Sequence, residues 1–166
     1  RTVEVAMMSF WSDGVRNVSM NEICRRANVS KPGVYREFGN EDGLTVAAVD
    51  LYRATVVAPL LEMLALEAPF SEVLDTILRW TTEPSGKPAG CLVAELRSAP
   101  GGLGPATAAK VSAVAEEMQR AYERWFRRAQ ARDEVDGTVS PALAAHFIDT
   151  QLTSVLLQMR LGTDPE

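Results

Sequence analysis

The chain reads as all α. Apolar residues recur at spacings of three and four from Val3 to Met159, and no segment alternates with the period of two that a half-buried strand needs. The apolar runs are also punctuated by helix-start and helix-stop chemistry, with Ser, Asn or Pro ahead of a run and Gly, Asn or a Gly/Pro cluster behind it. There is no internal repeat and no low-complexity tract.

Each element follows from those signals. Val3, Ala6, Met7, Phe10 and Trp11 share one helix face, and Asp13-Gly14 closes that helix. Ser19-Met20-Asn21-Glu22 has the S-x-x-E form of a capping box ahead of Ile23 and Ala27, and Asn28, tolerant of the left-handed conformation, ends the short helix. Ser30 caps the next helix, with Pro32 in its first turn where an amide hydrogen has no partner. Two short helices joined by a tight turn result, with Val29 and Val34 expected to pack between them. Asn40 caps a helix that begins with Glu41 and Asp42, continues through Leu44, Ala47, Ala48 and Leu51, and runs to about Leu66, bent or divided at Pro59. A helix is predicted from Phe70 to Thr82, followed by the loop EPSGKPAG, a short helix in CLVAELRS and a break at APGGLG. Pro105 and Ser140-Pro141 start two long amphipathic helices. The first carries Val111, Val114, Met118, Tyr122, Trp125, Phe126 and Ala129; the second carries Leu143, Phe147, Leu152, Val155, Leu156 and Met159.

At 166 residues and 46% hydrophobic, the chain can bury one core or two small fused ones. Cys24 and Cys91 are far apart and lack C-x-x-C or Cys/His spacing, which suggests no disulfide framework, no metal site and a reducing cytoplasm. No apolar run approaches the roughly 18 residues of a membrane span, and the first residues do not resemble a secretory signal. A cytoplasmic protein with no membrane partner is therefore expected. The glycine-rich stretches are neither a phosphate-binding loop, since the G-K-[ST] ending is absent, nor a dinucleotide fingerprint, since no strand precedes them. No nucleophile-base set, paired carboxylates or metal cluster supports an enzyme, and no cofactor is expected.

Net charge is -5, yet residues 16 to 36 hold Arg16, Arg25, Arg26, Lys31 and Arg36 against the single acid Glu22. A local basic patch is as compatible with a solvated helix face as with nucleic acid. Its position decides more than its charge. A pair of short helices joined by a tight turn is the form of a helix-turn-helix reader, whose second helix presents its N-terminal residues to base edges. Gly33 permits close backbone approach, Lys31 can reach a guanine edge or a phosphate, and Tyr35 and Arg36 can hydrogen-bond the DNA backbone, with Arg16 and Arg25 as further phosphate supports.

The run from about Val3 to Ala48, with AMMSFW and then VSMNEICRRANVSKPGVYREFGNEDGL, resembles the DNA-binding domain of the tetracycline-repressor (TetR) family. The resemblance implies a three-helix DNA-binding domain over residues 1-45 and a variable helical effector-binding and dimerisation domain over 46-166, whose last two long helices form a homodimer. It implies that Ser30, Lys31, Pro32, Gly33 and Tyr35 face double-stranded operator DNA while Ile23, Ala27, Val34 and Phe38 pack the small core. Two departures stand out: Glu37 replaces a frequent histidine, and Glu41 replaces a usual phosphate-holding lysine. A small-molecule effector pocket is expected between the fourth helix and the segments from Phe70 to Glu95, bordered by Trp80 and Cys91 and closed by Met118 and Tyr122, with Trp125 a further candidate. For each of these the competing reading is ordinary core.

Cys91 reads either as a buried small hydrophobe or as a reactive thiol if Lys87 and Arg97 lie close enough to lower its pKa. Cys24 reads as packing, and the lone His146 has no partner at metal spacing. The leading expectation is a dimeric repressor of a palindromic operator, released when an effector favours wrongly spaced reading heads. The runner-up is a helical scaffold of the same fold whose acids at Glu37 and Glu41 have cost it DNA affinity.

Overall fold

The computed structural model of the chain describes residues 1–83, 86–99 and 102–162. Its helices are α1 (Thr2–Asp13), α2 (Met20–Ala27), α3 (Lys31–Phe38), α4 (Glu41–Tyr52), α5 (Ala58–Leu64), α6 (Phe70–Thr82), α7 (Leu92–Ser98), α8 (Pro105–Ala131) and α9 (Pro141–Arg160). Among the described residues there is no strand. Pro84, Ser85, Pro100 and Gly101, within the two expected breaks, lie outside the described residues, as do 163–166.

The starts are set by side chains that satisfy first-turn amides. Ser19 Oγ accepts from the Glu22 amide at 3.2 Å, Ser30 Oγ from Gly33 at 3.2 Å, and Asn40 Oδ1 from Gly43 at 2.9 Å. Asn28 stops α2 with φ 55° and ψ 52°. Only half of the expected capping box forms. The Glu22 carboxylate turns instead to Arg25 and Arg26, because two guanidiniums within reach outcompete one amide hydrogen. Val34 is 2% exposed and fills the head's core, whereas Val29 is 37% exposed and lies outside the core cluster. Gly43 has a role of contact rather than conformation: a Cβ there would overlap the Phe38 carbonyl, so α3 and α4 meet this closely only over a glycine.

Pro59 does not end the helix it interrupts. The backbone widens into a π turn over Arg53–Val57, in which the Ala58 amide donates to Arg53 O, five residues back. The ladder thus reaches Pro59 already out of α register, and one helix runs from Glu41 to Leu64, across the division expected after residue 45. Between Leu44 and Leu61 its only charged residues are Asp50 and Arg53. By length and composition this helix is apolar enough to cross a membrane, contrary to the expectation that no run would be. Its apolar residues have a nearer destination: Leu44, Ala48, Val49, Tyr52, Val57 and Leu64 are each at most 3% exposed in the protein core.

One hydrophobic cluster extends from Ala6 and Phe10 of α1 through Ile23 and Leu44 to Ile77, Leu92, Trp125 and Leu152. The centre of the lower body is α8, which touches α4, α5, α6, α7 and α9. Its stripe from Val111 to Ala129 is therefore interior to the single chain and is not surplus surface for a partner. Outward, α8 presents Glu116, Arg120, Arg124 and Arg127. The apolar surface left over is on α9, where Leu143, Phe147 and Leu157 are 64%, 61% and 50% exposed.

A clamp joins the head to the body. Asp42 accepts from the Ala106 amide at 3.0 Å, the Thr107 amide at 2.9 Å and the Thr107 hydroxyl at 2.6 Å, so its carboxylate caps the α8 N-terminus. Those bonds hold the Asp42 carboxyl below its ordinary value of 3.8, the Thr107 hydroxyl being the largest cause. We expect Asp42→Ala to cost about 0.5–2 kcal/mol in urea unfolding at pH 7, the range for losing a helix cap. Because the folded carboxyl titrates below the unfolded one, this difference between wild type and variant should be present above the unfolded value and shrink as pH falls through the folded one. A difference that persists unchanged in strong acid would assign the loss to packing.

Candidate DNA-reading tip and internal cavity

Ser30, Lys31, Pro32 and Arg36 are exposed on α3 and its N-terminal turn, while Gly33 and Tyr35 are half-buried. The expected reading residues thus share one short helix and the turn before it. Lys31 Nζ lies 5.4 Å from the centre of the Tyr35 ring, a cation–π distance that steers the ammonium along the helix. The Tyr35 hydroxyl donates to Glu41 Oε1 at 3.1 Å. Glu41 therefore does more than remove a positive charge from the start of α4: it also occupies the tyrosine hydroxyl.

Arg25 is exposed but engaged, its Nε and one terminal nitrogen bonded to the two Glu22 oxygens at 2.9 and 2.7 Å. Arg26 bridges Glu22, Ser9 and Asp13, tying α2 to α1. With Arg25 first and Arg26 second as causes, the Glu22 carboxyl is lowered to about 2. Arg16 is exposed, but its aliphatic stem lies beside Gly102, in the loop ahead of α8. A phosphate must compete with Glu22 for Arg25.

Beneath the head, α1, the helix from Glu41 to Leu64, α6, α8, α9 and the loop before α7 line a partly open cavity of about 420 Å³. Trp80, Cys91, Met118 and Tyr122 all line it. Phe70 and Trp125 do not. They stack on each other at 4.3 Å between ring centres, with Trp125 fully buried. The expected outline omitted two walls. Trp11 of α1 enters from the head, its indole N–H donating to Gly90 O at 2.9 Å, and α9 supplies Asp149, Leu152, Thr153, Leu156 and Met159. Asp149 carried a readable signal, since 145, 149, 152, 156 and 159 step by four and three, and a carboxylate on such an inward stripe is unusual. Trp11 carried none, because nothing local tells which core a head tryptophan enters.

Tyr52 organises the polar side of the cavity. Its hydroxyl accepts from the Leu92 amide at 3.4 Å and donates toward Cys91 Sγ at 3.8 Å. Burial pushes the Cys91 thiol up, the Ala94 amide opposes it, and the Tyr52 hydroxyl and Val93 amide act in the same opposing direction, while the Asp149 charge adds to the rise. Neither Lys87 nor Arg97 is among the groups that act on the thiol, so the lowering that depended on their closeness does not arise. His146 is exposed on α9, and no group of three or more metal-binding side chains occurs among the described residues.

A thiol raised in this way should alkylate slowly. We expect iodoacetamide to modify Cys91 more slowly at pH 7 than a free cysteine, with the rate climbing as pH passes above the ordinary thiol value. Tyr52→Phe, which removes the hydroxyl that favours the thiolate, should move that climb to still higher pH. Mass-resolved labelling of Cys91 checks both, and fast labelling near neutrality would overturn the assignment.

Comparison with known proteins agrees with this geometry. The family model "Bacterial regulatory proteins, tetR family" matches residues 3–48, and "Tetracyclin repressor-like, C-terminal domain" matches residues 70–166. The transcriptional regulator AcuR of Cereibacter sphaeroides is 27% identical over 158 residues, covering 92% of this chain and 72% of AcuR. The HTH-type transcriptional repressor BdcR of Escherichia coli is 28% identical over 98 residues, covering 57% of this chain and half the length of that relative, 50%. Among solved structures, the regulator CifR bound to 26-bp double-strand operator DNA shares the fold with a TM-score of 0.81 at 22% identity, over 98% of this chain and 87% of that one. With one family model on the α1–α4 head and the other on the helices around the cavity, the chain belongs to the TetR family of bacterial transcriptional regulators.

Proposed function

We propose that the protein is a cytoplasmic, dimeric repressor that reads a palindromic operator through Ser30, Lys31, Pro32, Gly33, Tyr35 and Arg36, and that a small molecule in the cavity releases it. The observation that carries this reading is the exposed α3 tip, whose Lys31 and Arg36 make no ion pair among the described residues. CifR, similar in fold, is seen on operator DNA. The division of labour is a head over residues 1–45 and an effector and dimer body over 46–166, with Trp80, Cys91, Met118 and Tyr122 among the effector contacts. Arg16 and Arg25 serve as phosphate supports, Arg25 once it has left Glu22.

Release follows from the shared helix. Tyr52, Val56, Val57 and Leu60 line the cavity, and the same helix begins at Glu41 beside the end of α3. A ligand that fits one tilt of this helix better than another changes the spacing of two heads by the difference in its affinities for the two states.

The dimer reading is supported by α9. Leu143, Phe147, Thr150, Ser154, Leu157 and Leu161 step by four and three along its outward side, and all six are exposed. A two-fold mate packing this seam makes a helical bundle with the flanks of α8 as its rim. Leu156, an apolar residue of the same helix, lines the cavity and is not part of this seam. Phe147→Glu should accordingly yield monomers in light scattering at micromolar concentration, with helicity unchanged; a wild-type monomer would remove the dimer.

DNA binding is tested by fluorescence anisotropy with fragments from upstream of the chain's own gene. If Lys31 reads a base edge, Lys31→Ala should lose about 1–3 kcal/mol and relax preference at one position, whereas a phosphate role weakens all sequences alike. Glu41→Lys should tighten binding and steepen its salt dependence, since it adds a cation and frees the Tyr35 hydroxyl together. A folded, dimeric wild type that binds none of these fragments at low salt would replace the repressor with the scaffold reading, in which Glu22, Glu37 and Glu41 hold the head closed to DNA.

A further inference from the structure

The cavity carries more chemical information than its size. Most of its wall is apolar, and 420 Å³ falls within the roughly 300–1,000 Å³ of small-molecule sites. Two polar groups on that wall have hydrogen-bonding capacity that no protein group takes up. Tyr122 is 1% exposed and lines the cavity, and its hydroxyl makes no hydrogen bond among the described residues. Asp149 lines the same space; its Oδ2 accepts from Gln119 Nε2 at 2.8 Å, and its other oxygen has no hydrogen bond among the described residues. By contrast, the Tyr52 hydroxyl, Cys91 and the Trp11 indole N–H are already engaged. A hydroxyl and a carboxylate oxygen that face the cavity with no protein partner leave hydrogen-bonding capacity for an occupant that fills both.

We propose that the cavity takes a lipophilic cation, an aryl- or alkylamine of fragment size, with Asp149 as counter-ion and the Tyr122 hydroxyl oxygen as a second acceptor. An ammonium supplies the N–H donors that both oxygens lack, and four aromatic residues, Trp11, Tyr52, Trp80 and Tyr122, line the space around it. A carboxylate ligand would instead meet Asp149 at short range in a poorly solvated space. The other charges at the wall, Glu83 and Lys87, have opposite signs. Arg97 and His146 act on Asp149 from exposed positions, where water screens them, and burial outweighs both, pushing the Asp149 carboxyl up. A cation beside it reverses that penalty, which a neutral ligand does not. The inference deepens the reading of this cavity as the effector site and rests on it.

The test compares three near-isosteric probes on the full chain at pH 7: 4-phenylbutylamine, 4-phenylbutyrate and 4-phenylbutanol. Uptake is followed by calorimetry and by quenching of tryptophan fluorescence, since Trp11 and Trp80 line the cavity. The amine should bind about tenfold or more tighter than the acid or the alcohol, the margin of a charge-assisted contact in a desolvated site. Asp149→Asn should bring the amine to the affinity of the alcohol while leaving the alcohol unchanged. Tyr122→Phe should weaken the amine more than the alcohol, and it decides the matter if the Asp149 variant fails to fold. Equal or tighter binding of the acid, an amine preference that survives Asp149→Asn, or uptake of none of the three overturns the proposal. Operator binding is measured in parallel. A chain that binds DNA but not the amine loses the cation and keeps the regulator; one that binds the amine but no DNA keeps the cation and loses the regulator.

Discussion

The Ala58 amide donates to Arg53 O, five residues back, and on that widened turn depends the union of the two halves of the chain. Pro59 in regular α register would strip a ladder bond and press its ring on the preceding turn, at a cost near 3 kcal/mol. The π turn absorbs the proline without breaking the rod. It also turns two consecutive residues, Val56 and Val57, toward the interior, where both line the cavity. One helix can then be buried against α1 at its start, against α8 along its length and against the cavity at its end. A break at Pro59 would detach Leu60 and Leu64 from the rigid element that carries Tyr52, Val56 and Val57 to the cavity.

The rod is pinned at several places along its length. Asp42 holds the α8 N-terminus, Lys110 pairs with Asp50 at 2.9 Å, and Arg53 makes a two-pronged contact with Glu117. The pairs at Asp50 and Arg53 are partly exposed and contribute little each. Asp42 differs because it satisfies orphan amides of a 27-residue helix, and Gly104 leaves it room to do so, since a Cβ there would overlap its carboxylate. Geometry, more than charge, makes this contact specific.

Local chemistry was legible and distant packing was not. Ser19, Ser30, Asn40, Pro105 and Pro141 announced their helices because a cap acts within three residues of itself. The stripe of α8 was equally visible, but its meaning was not: the same pattern serves a dimer seam or a central helix, and only the arrangement of five neighbours around it decides. The π turn left no local mark beyond Pro59, which more often signals a kink. For the cavity, Trp80, Cys91, Met118 and Tyr122 were recognisable as large or polarisable groups beside a loop. Trp11 was not, because it enters from α1, distant in the chain from the other walls, and of the α9 wall only Asp149 carried a mark. Glu22 was read as half a capping box, a role its carboxylate gives up for Arg25 and Arg26.

These placements make the head's own acids part of its electrostatics. Glu22 occupies Arg25, and Glu41 occupies the Tyr35 hydroxyl, so two groups suited to grip phosphate begin in internal bonds. DNA must offer each a better partner than a solvated carboxylate, and a phosphate diester gains only the difference. The same accounting applies at the cavity. Trp11 reaches from α1 to Gly90, and Tyr52 reaches from α4 to Leu92, so the cavity wall and the head share two buried polar contacts. A ligand that disturbs either contact acts directly on the elements that carry α2 and α3. On the proposed repressor reading, internal bonds offset part of the head's contact energy, so a ligand has that much less operator affinity to overcome through its preference between two tilts of α4.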